Sequence, residues 1–115
     1  MQCGGAVGGA EAFAELELRV GRVTRAELNP RARKPSYRLW IDFGPLGERK
    51  SSAQLVDLYT ADALSGRLVV AAMNLGTRNI AGFESEVLVL GLPDMEGRVV
   101  LLIPERDVPL GGRVY

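Results

Sequence analysis

Between Glu48 and Leu55 the chain reads Glu-Arg-Lys-Ser-Ser-Ala-Gln-Leu, two adjacent cations followed by a row of small hydrogen-bonding side chains. Cations attract a phosphate chain, and hydroxyl and amide groups fix its position through directional bonds, so this stretch has the composition of a polyanion grip. Other chemistries have little to work with. The sequence holds no histidine, and its single cysteine, Cys3, sits among glycines. Lys50 precedes Ser51, but strand neighbours point to opposite faces, so the ammonium does not reach that hydroxyl. Lys50 and Ser52 share a face, yet a serine–lysine dyad needs a buried, neutral lysine, and this one follows Arg49 in a polar strand. Asp42, Glu48, Glu84 and Glu86 are spread between strand ends. The sequence therefore predicts no catalytic residue, no metal ligand and no cofactor.

Charge placement points the same way as the motif. The formal net charge is zero, yet residues 19–50 carry nine cations against three carboxylates, a local +6 offset by acidic flanks. One face of a neutral protein can then attract a polyanion. Arg33 and Lys34 lie in a loop, Arg49 and Lys50 on the strand that follows, and Ser52 and Gln54 continue the face of Lys50. Asn74, Arg78 and Asn79 are placed to close a groove from a later loop.

The elements that must position these groups are mostly strands. The 115 residues suffice for one domain that buries roughly two thirds of its unfolded surface. Residues 1–11 read as a disordered Gly/Ala-rich leader, with residues 12–115 as the folded domain; Glu11–Glu15 allows one helical turn. Leu16, Leu18 and Val20 alternate with Glu17 and Arg19, a half-buried strand. Gly21 allows a bend or bulge, and Asn29-Pro30 ends the strand. Tyr37, Leu39, Ile41 and Phe43 alternate with Arg38, Trp40 and Asp42. Gly44-Pro45-Leu46-Gly47 then returns residues 48–55 as a hairpin partner, with Lys50 opposite Ile41 or Asp42. Thr60 caps a helix of about two turns that Gly66 ends. Strands follow over residues 67–73, 87–90 and 98–103, with a polar loop over 74–83 and an irregular or edge-like tail from Pro104. Three strands, a helix and further strands match a five-stranded barrel of the oligonucleotide/oligosaccharide-binding (OB) plan, all-β with one short helix between strands three and four. No apolar run approaches the ~20 residues of a membrane span. Met1–Gly9 also lacks a basic region ahead of an apolar core, so a cytoplasmic location without membrane insertion is expected.

Aromatic residues are few. Tyr37 and Phe43 fall on the apolar face, while Trp40 falls with Arg38 and Asp42 and reads equally as a stacking platform, a subunit contact or a ring covered by the helix. Phe83, between Gly82 and Glu84, reads as an exposed loop aromatic or a hydrophobic plug. Few stacking rings favour recognition of a folded RNA's shape over reading its bases.

Five segments occur in order: Leu18-Arg19-Val20-Gly21-Arg22-Val23, Ala32-Arg33-Lys34-Pro35, Ile41-Asp42-Phe43-Gly44, Lys50-Ser51-Ser52-Ala53-Gln54 and Ile80-Ala81-Gly82-Phe83-Glu84-Ser85-Glu86. Together they resemble the tRNA-binding-domain proteins of the CsaA group, over residues 12–115. The resemblance implies an OB fold with N- and C-terminal additions that build a homodimer. It also implies kinship with the C-terminal domain of bacterial methionyl-tRNA synthetases and with eukaryotic synthetase cofactors. Such relatives bind tRNA by shape, with little sequence preference. The CsaA group itself is described as a molecular chaperone with export-related activity, so the implied partners are tRNA or, alternatively, unfolded or preprotein polypeptides. Carried over position by position, Arg33, Lys34, Lys50, Ser52, Gln54, Asn74, Arg78, Ser85 and Glu86 become the candidate groove, with Arg49 beside Lys50. Ser85 and Glu86 match a serine–glutamate pair of the broader family. A glycine–methionine usually follows that pair, whereas Val87-Leu88 stands here, as in the CsaA branch. The apolar tail, Val99–Ile103 and Val108–Leu110, would either meet the Leu16–Val20 region of a second copy or fold back across its own barrel.

Overall fold

The structure, a computed structural model, describes residues 8–115. Residues 1–7 of the expected leader, Cys3 included, lie outside the described residues; helix α1 (Gly9–Glu15) begins within that leader's remaining span. Strand β1 (Leu18–Leu28) is the longest element, because it serves two partners in succession. Its first half pairs with β4 (Leu68–Ala72) and its second half with β2 (Tyr37–Asp42), which pairs in turn with β3 (Glu48–Ala53). With β7 (Leu88–Val89) these strands form one antiparallel sheet ordered β3-β2-β1-β4-β7. The sheet curls into the expected OB-type barrel, in which β3 approaches β7 and β6 (Phe83–Ser85).

The alternation in β2 is realised in full: Tyr37, Leu39 and Ile41 are buried, while Arg38, Trp40 and Asp42 are half-buried on the outer face. Val23, Leu39, Ile41, Phe43 and Val69 make the core with Leu64, which comes from α2 (Ala61–Leu64). The Thr60 hydroxyl caps α2 by accepting from the Ala63 amide at 3.1 Å, as its residue type predicts. The helix is a single turn rather than two, because Ser65 is already extended and Gly66 is left-handed at φ 87°. Two tyrosines lock the barrel end: Tyr37 Oη donates to the Tyr59 carbonyl at 2.7 Å, and Tyr59 Oη accepts from the Leu101 amide at 3.0 Å.

The bulge of β1 is not at Gly21. The register shifts between Val23 and Arg25, where the Thr24 hydroxyl donates to the Trp40 carbonyl at 3.1 Å. Gly21 answers a different need, since a Cβ there would lie 2.6 Å from Ile41 Cγ2 and 2.7 Å from Phe43 Cε1. Hairpin pairing also differs by one position from expectation, with Lys50 opposite Trp40. A 3-10 turn over Gly44–Leu46 takes up the extra residue.

Beyond the sheet, β5 (Arg78–Ile80) and β6 form one hairpin, and β8 (Gly91–Pro93) and β9 (Val99–Leu101) form another. The tail is edge-like. It returns along the free side of β1's first half, where Gly111 N–H donates to the Val20 carbonyl and Val114 N–H to the Leu18 carbonyl. Among the described residues no helix is long and apolar enough to cross a membrane.

Candidate nucleic-acid interface

One wall of the main groove is the loop after β1, and Asn29 builds it. This side chain is buried, with Oδ1 accepting from the Arg31 amide at 3.0 Å and from Arg38 Nη2 at 3.2 Å. Its Nδ2 donates to the Ile80 carbonyl at 3.4 Å, which ties the loop to the opposite wall. That opposite wall is the β5–β6 hairpin. Its two-residue turn, Ala81-Gly82, has both φ angles positive (49° and 85°), the combination that matches strand twist in tight hairpins. Asn79 Oδ1 accepts from the Gly82 amide at 3.0 Å and fixes the turn.

Between the walls lies a cavity of about 630 Å³. Arg31, Arg33, Lys34 and Arg78 bring four cations to it, and no carboxylate lines it. None of the four is in an ion pair among the described residues, whereas Arg19, Arg22, Arg25, Arg38, Arg98 and Arg106 are each paired with an acidic side chain. An unpaired cluster of like charge on a concave surface focuses a positive potential outward.

Of the ten residues singled out from the sequence, the groove gathers Arg33, Lys34, Ser52, Gln54, Arg78 and Ser85. The other four lie elsewhere. Arg49 donates to the Glu48 carbonyl, and Lys50 Nζ sits 5.3 Å from the Phe83 ring centroid. Asn74 Nδ2 donates to the Glu15 carbonyl at 2.7 Å and its Oδ1 accepts from the Glu17 amide at 2.9 Å, so this amide fastens the end of α1. Glu86 Oε1 accepts from the Lys50 amide at 2.9 Å, while the Glu86 amide donates to the Lys50 carbonyl at 2.8 Å. Ser85 Oγ accepts from the Ser52 amide at 2.9 Å. The Ser85–Glu86 pair thus closes the seam between β3 and the later strands with side-chain bonds in place of a regular ladder.

Sequence reasoning missed Arg31, whose charge was visible, and the apolar lining residues Ala32, Ile80, Ala81 and Leu88, which gave no signal. The two uncertain rings pack on each other. Phe83 is only 7% exposed and is a plug; Trp40 meets it edge-on at 5.3 Å, with the Arg25 guanidinium 4.3 Å over the indole. Trp40 is therefore covered by the β5–β6 hairpin and by Arg25, not by a helix.

The family model described as "Putative tRNA binding domain" matches residues 18–113. The chain belongs to the tRNA-binding-domain family. Within it the chain is of the CsaA type. The structure of chaperone CsaA from Bacillus anthracis superposes with a TM-score of 0.87 at 46% identity, covering 96% of this chain and 100% of that one. A CsaA chaperone protein from Picrophilus torridus gives a TM-score of 0.84 at 37% identity, covering 91% of this chain and 96% of the other. The methionine–tRNA ligase of Archaeoglobus fulgidus is 36% identical over 104 residues, 90% of this chain. This tRNA-binding domain spans only 15% of that ligase's length.

Proposed function

We propose that this CsaA-type domain is a non-catalytic homodimer that binds tRNA by its backbone and shape. The observation that carries this reading is the concave cluster of Arg31, Arg33, Lys34 and Arg78, unpaired and without a lining carboxylate. Ser52 and Gln54 supply neutral hydrogen bonds beside it, while Asn29, Ser85 and Glu86 hold its walls in place. Arg49 and Lys50, on the adjoining strand, would extend the cationic track.

Salt titration of tRNA binding tests this. With about four phosphates neutralised, log affinity should fall against log salt with a slope of roughly −3 to −4. Arg78→Glu or Lys34→Glu should weaken binding broadly and flatten that slope by about one per charge removed. A slope near zero, or no tRNA binding at low salt, overturns the reading.

Self-association is supported by a second, apolar cleft of about 260 Å³ lined by Val20, Val70, Ile103, Pro104, Val108 and Val114. Leu92, Leu102 and Ile103 are exposed around the same hairpin and tail, an apolar surface that a second copy would cover. The rival reading, capture of unfolded or preprotein polypeptides, draws on this surface and on the chaperone names of the two structural relatives. Buried Phe83 lends it nothing. Suppression of aggregation that survives high salt and is untouched by excess tRNA would favour it.

A further inference from the structure

We propose that the cationic groove takes one unpaired nucleotide of the bound RNA, its phosphates on the charged rim and its base against the apolar wall. This rests on the RNA-binding reading and goes further, because a backbone recognised by charge alone needs only a surface. Here the lining divides into three chemistries. Arg31, Arg33, Lys34 and Arg78 suit phosphate; Ala32, Ile80, Ala81 and Leu88 offer phosphate nothing but match the flat face of a base; Ser52, Gln54 and Asn79 present neutral polar groups. The carboxamide of exposed Gln54 carries a donor and an acceptor side by side, the pattern that pairs with a base edge. A volume of about 630 Å³ lies within the ~300–1,000 Å³ typical of small-ligand sites.

The walls are set before any ligand arrives. Asn29 bonds to both of them, through the Arg31 amide and the Ile80 carbonyl. Ala81, in the groove lining, holds a left-handed backbone at φ 49°, a strained conformation of the sort that persists where the surroundings over-determine it. Pre-set walls reduce the ordering cost of binding. No aromatic ring lines the groove, so the base rests on the aliphatic side chains, and any further stacking falls to the guanidinium planes of Arg31, Arg33 or Arg78. A base within an A-form duplex has its edge paired and its faces stacked and does not enter; one from a loop, bulge or end does.

The test compares, by fluorescence anisotropy, a blunt RNA duplex with the same duplex carrying one bulged nucleotide. The bulged form should bind at least about fivefold tighter, the low end of what a paired contact to one base edge is worth. Leu88→Trp, which fills the groove, and Gln54→Ala, at an exposed position that leaves the fold intact, should each bring the affinity ratio toward one. Free nucleoside monophosphates should compete only at far higher concentration than the bulged duplex. Equal affinity for the two duplexes, or a ratio unchanged in both variants, overturns the proposal while leaving RNA binding intact; failure to bind either duplex or tRNA overturns both. Monophosphates that bind as tightly as the bulged duplex would assign the groove to free nucleotides and overturn the RNA assignment. Loss of aggregation suppression in Leu88→Trp, with the RNA ratio unmoved, would assign it to polypeptide.

Discussion

Asn29 holds both walls of the groove at once, so removing its side chain frees the Arg31 amide, Arg38 Nη2 and the Ile80 carbonyl together. Asn29→Ala should cost about 1–3 kcal/mol of stability, the scale of buried polar groups left unpaired, and should weaken tRNA binding as well. Chemical denaturation and a binding isotherm on the same variant check the two effects. Ser51 is the opposite case. Its hydroxyl is fully buried and has no hydrogen-bond partner among the described residues, so Ser51→Ala should be neutral or stabilising by up to about 1 kcal/mol, seen as a higher urea midpoint. Strand alternation separates Ser51 from its neighbour Ser52: Ser51 is buried, while Ser52 and Gln54, expected to share the face of Lys50, line the groove. The sequence could not rank the arginines. Arg31 and Arg38 are alike in type, and only the fold places Glu27 3.5 Å from Arg38 while leaving Arg31 unpaired. Asn29 showed itself only as a turn residue, because one of its partners is 51 positions away.

The seam beside β3 sets a prediction at the scale of elements. Glu86→Ala should remove a charge-assisted bond worth about 1.5–3 kcal/mol and speed amide hydrogen exchange at Lys50. Glu86→Gln, which keeps an acceptor oxygen, should restore most of that protection; equal exchange in both variants would show that the carboxylate does not hold the strand. The β8–β9 turn carries a pH dependence. Desolvation pushes the Asp94 carboxyl up, but amide bonds from Arg98 and Glu96 and the Arg98 guanidinium outweigh it and hold the group below its usual value. A depressed folded value means the turn's contribution is complete above the ordinary aspartate pKa of about 3.9 and is lost as pH falls through the folded value. Protection of the Glu96 and Arg98 amides, relative to the intrinsic exchange rate at each pH, should therefore fall on acidification below about pH 4, and Asp94→Asn should remove most of that pH dependence. The long element β2 was legible because one face must be apolar and its alternation is complete; β1 follows its pattern only in part, with the register shift after Val23 and Leu28 exposed, and β3 buries Ser51 alone. The β5–β6 hairpin was not legible, since three-residue strands carry too little periodicity and their turn uses Ala81 where glycine or asparagine would have announced it.

For the whole molecule, a net charge of zero conceals a division of labour between a cationic groove and an apolar surface built by the tail and the β8–β9 hairpin. Ile103→Asp and Val114→Asp should each yield a folded monomer in light-scattering chromatography. In the proposed homodimer tRNA affinity should then drop, because the second groove of the same particle is lost. A variant that remains dimeric would place the contact elsewhere. The same tail lies against the end of α1 and the start of β1: Arg113 Nη2 donates to the Ala14 carbonyl at 2.6 Å, and Arg19 bridges Arg113 across the backbone. Such adjacency makes the order of segments along the polypeptide separable from their arrangement in space. A circular permutant that joins Tyr115 to Gly8 through a short flexible linker and opens at exposed Leu75-Gly76 should assemble the same barrel.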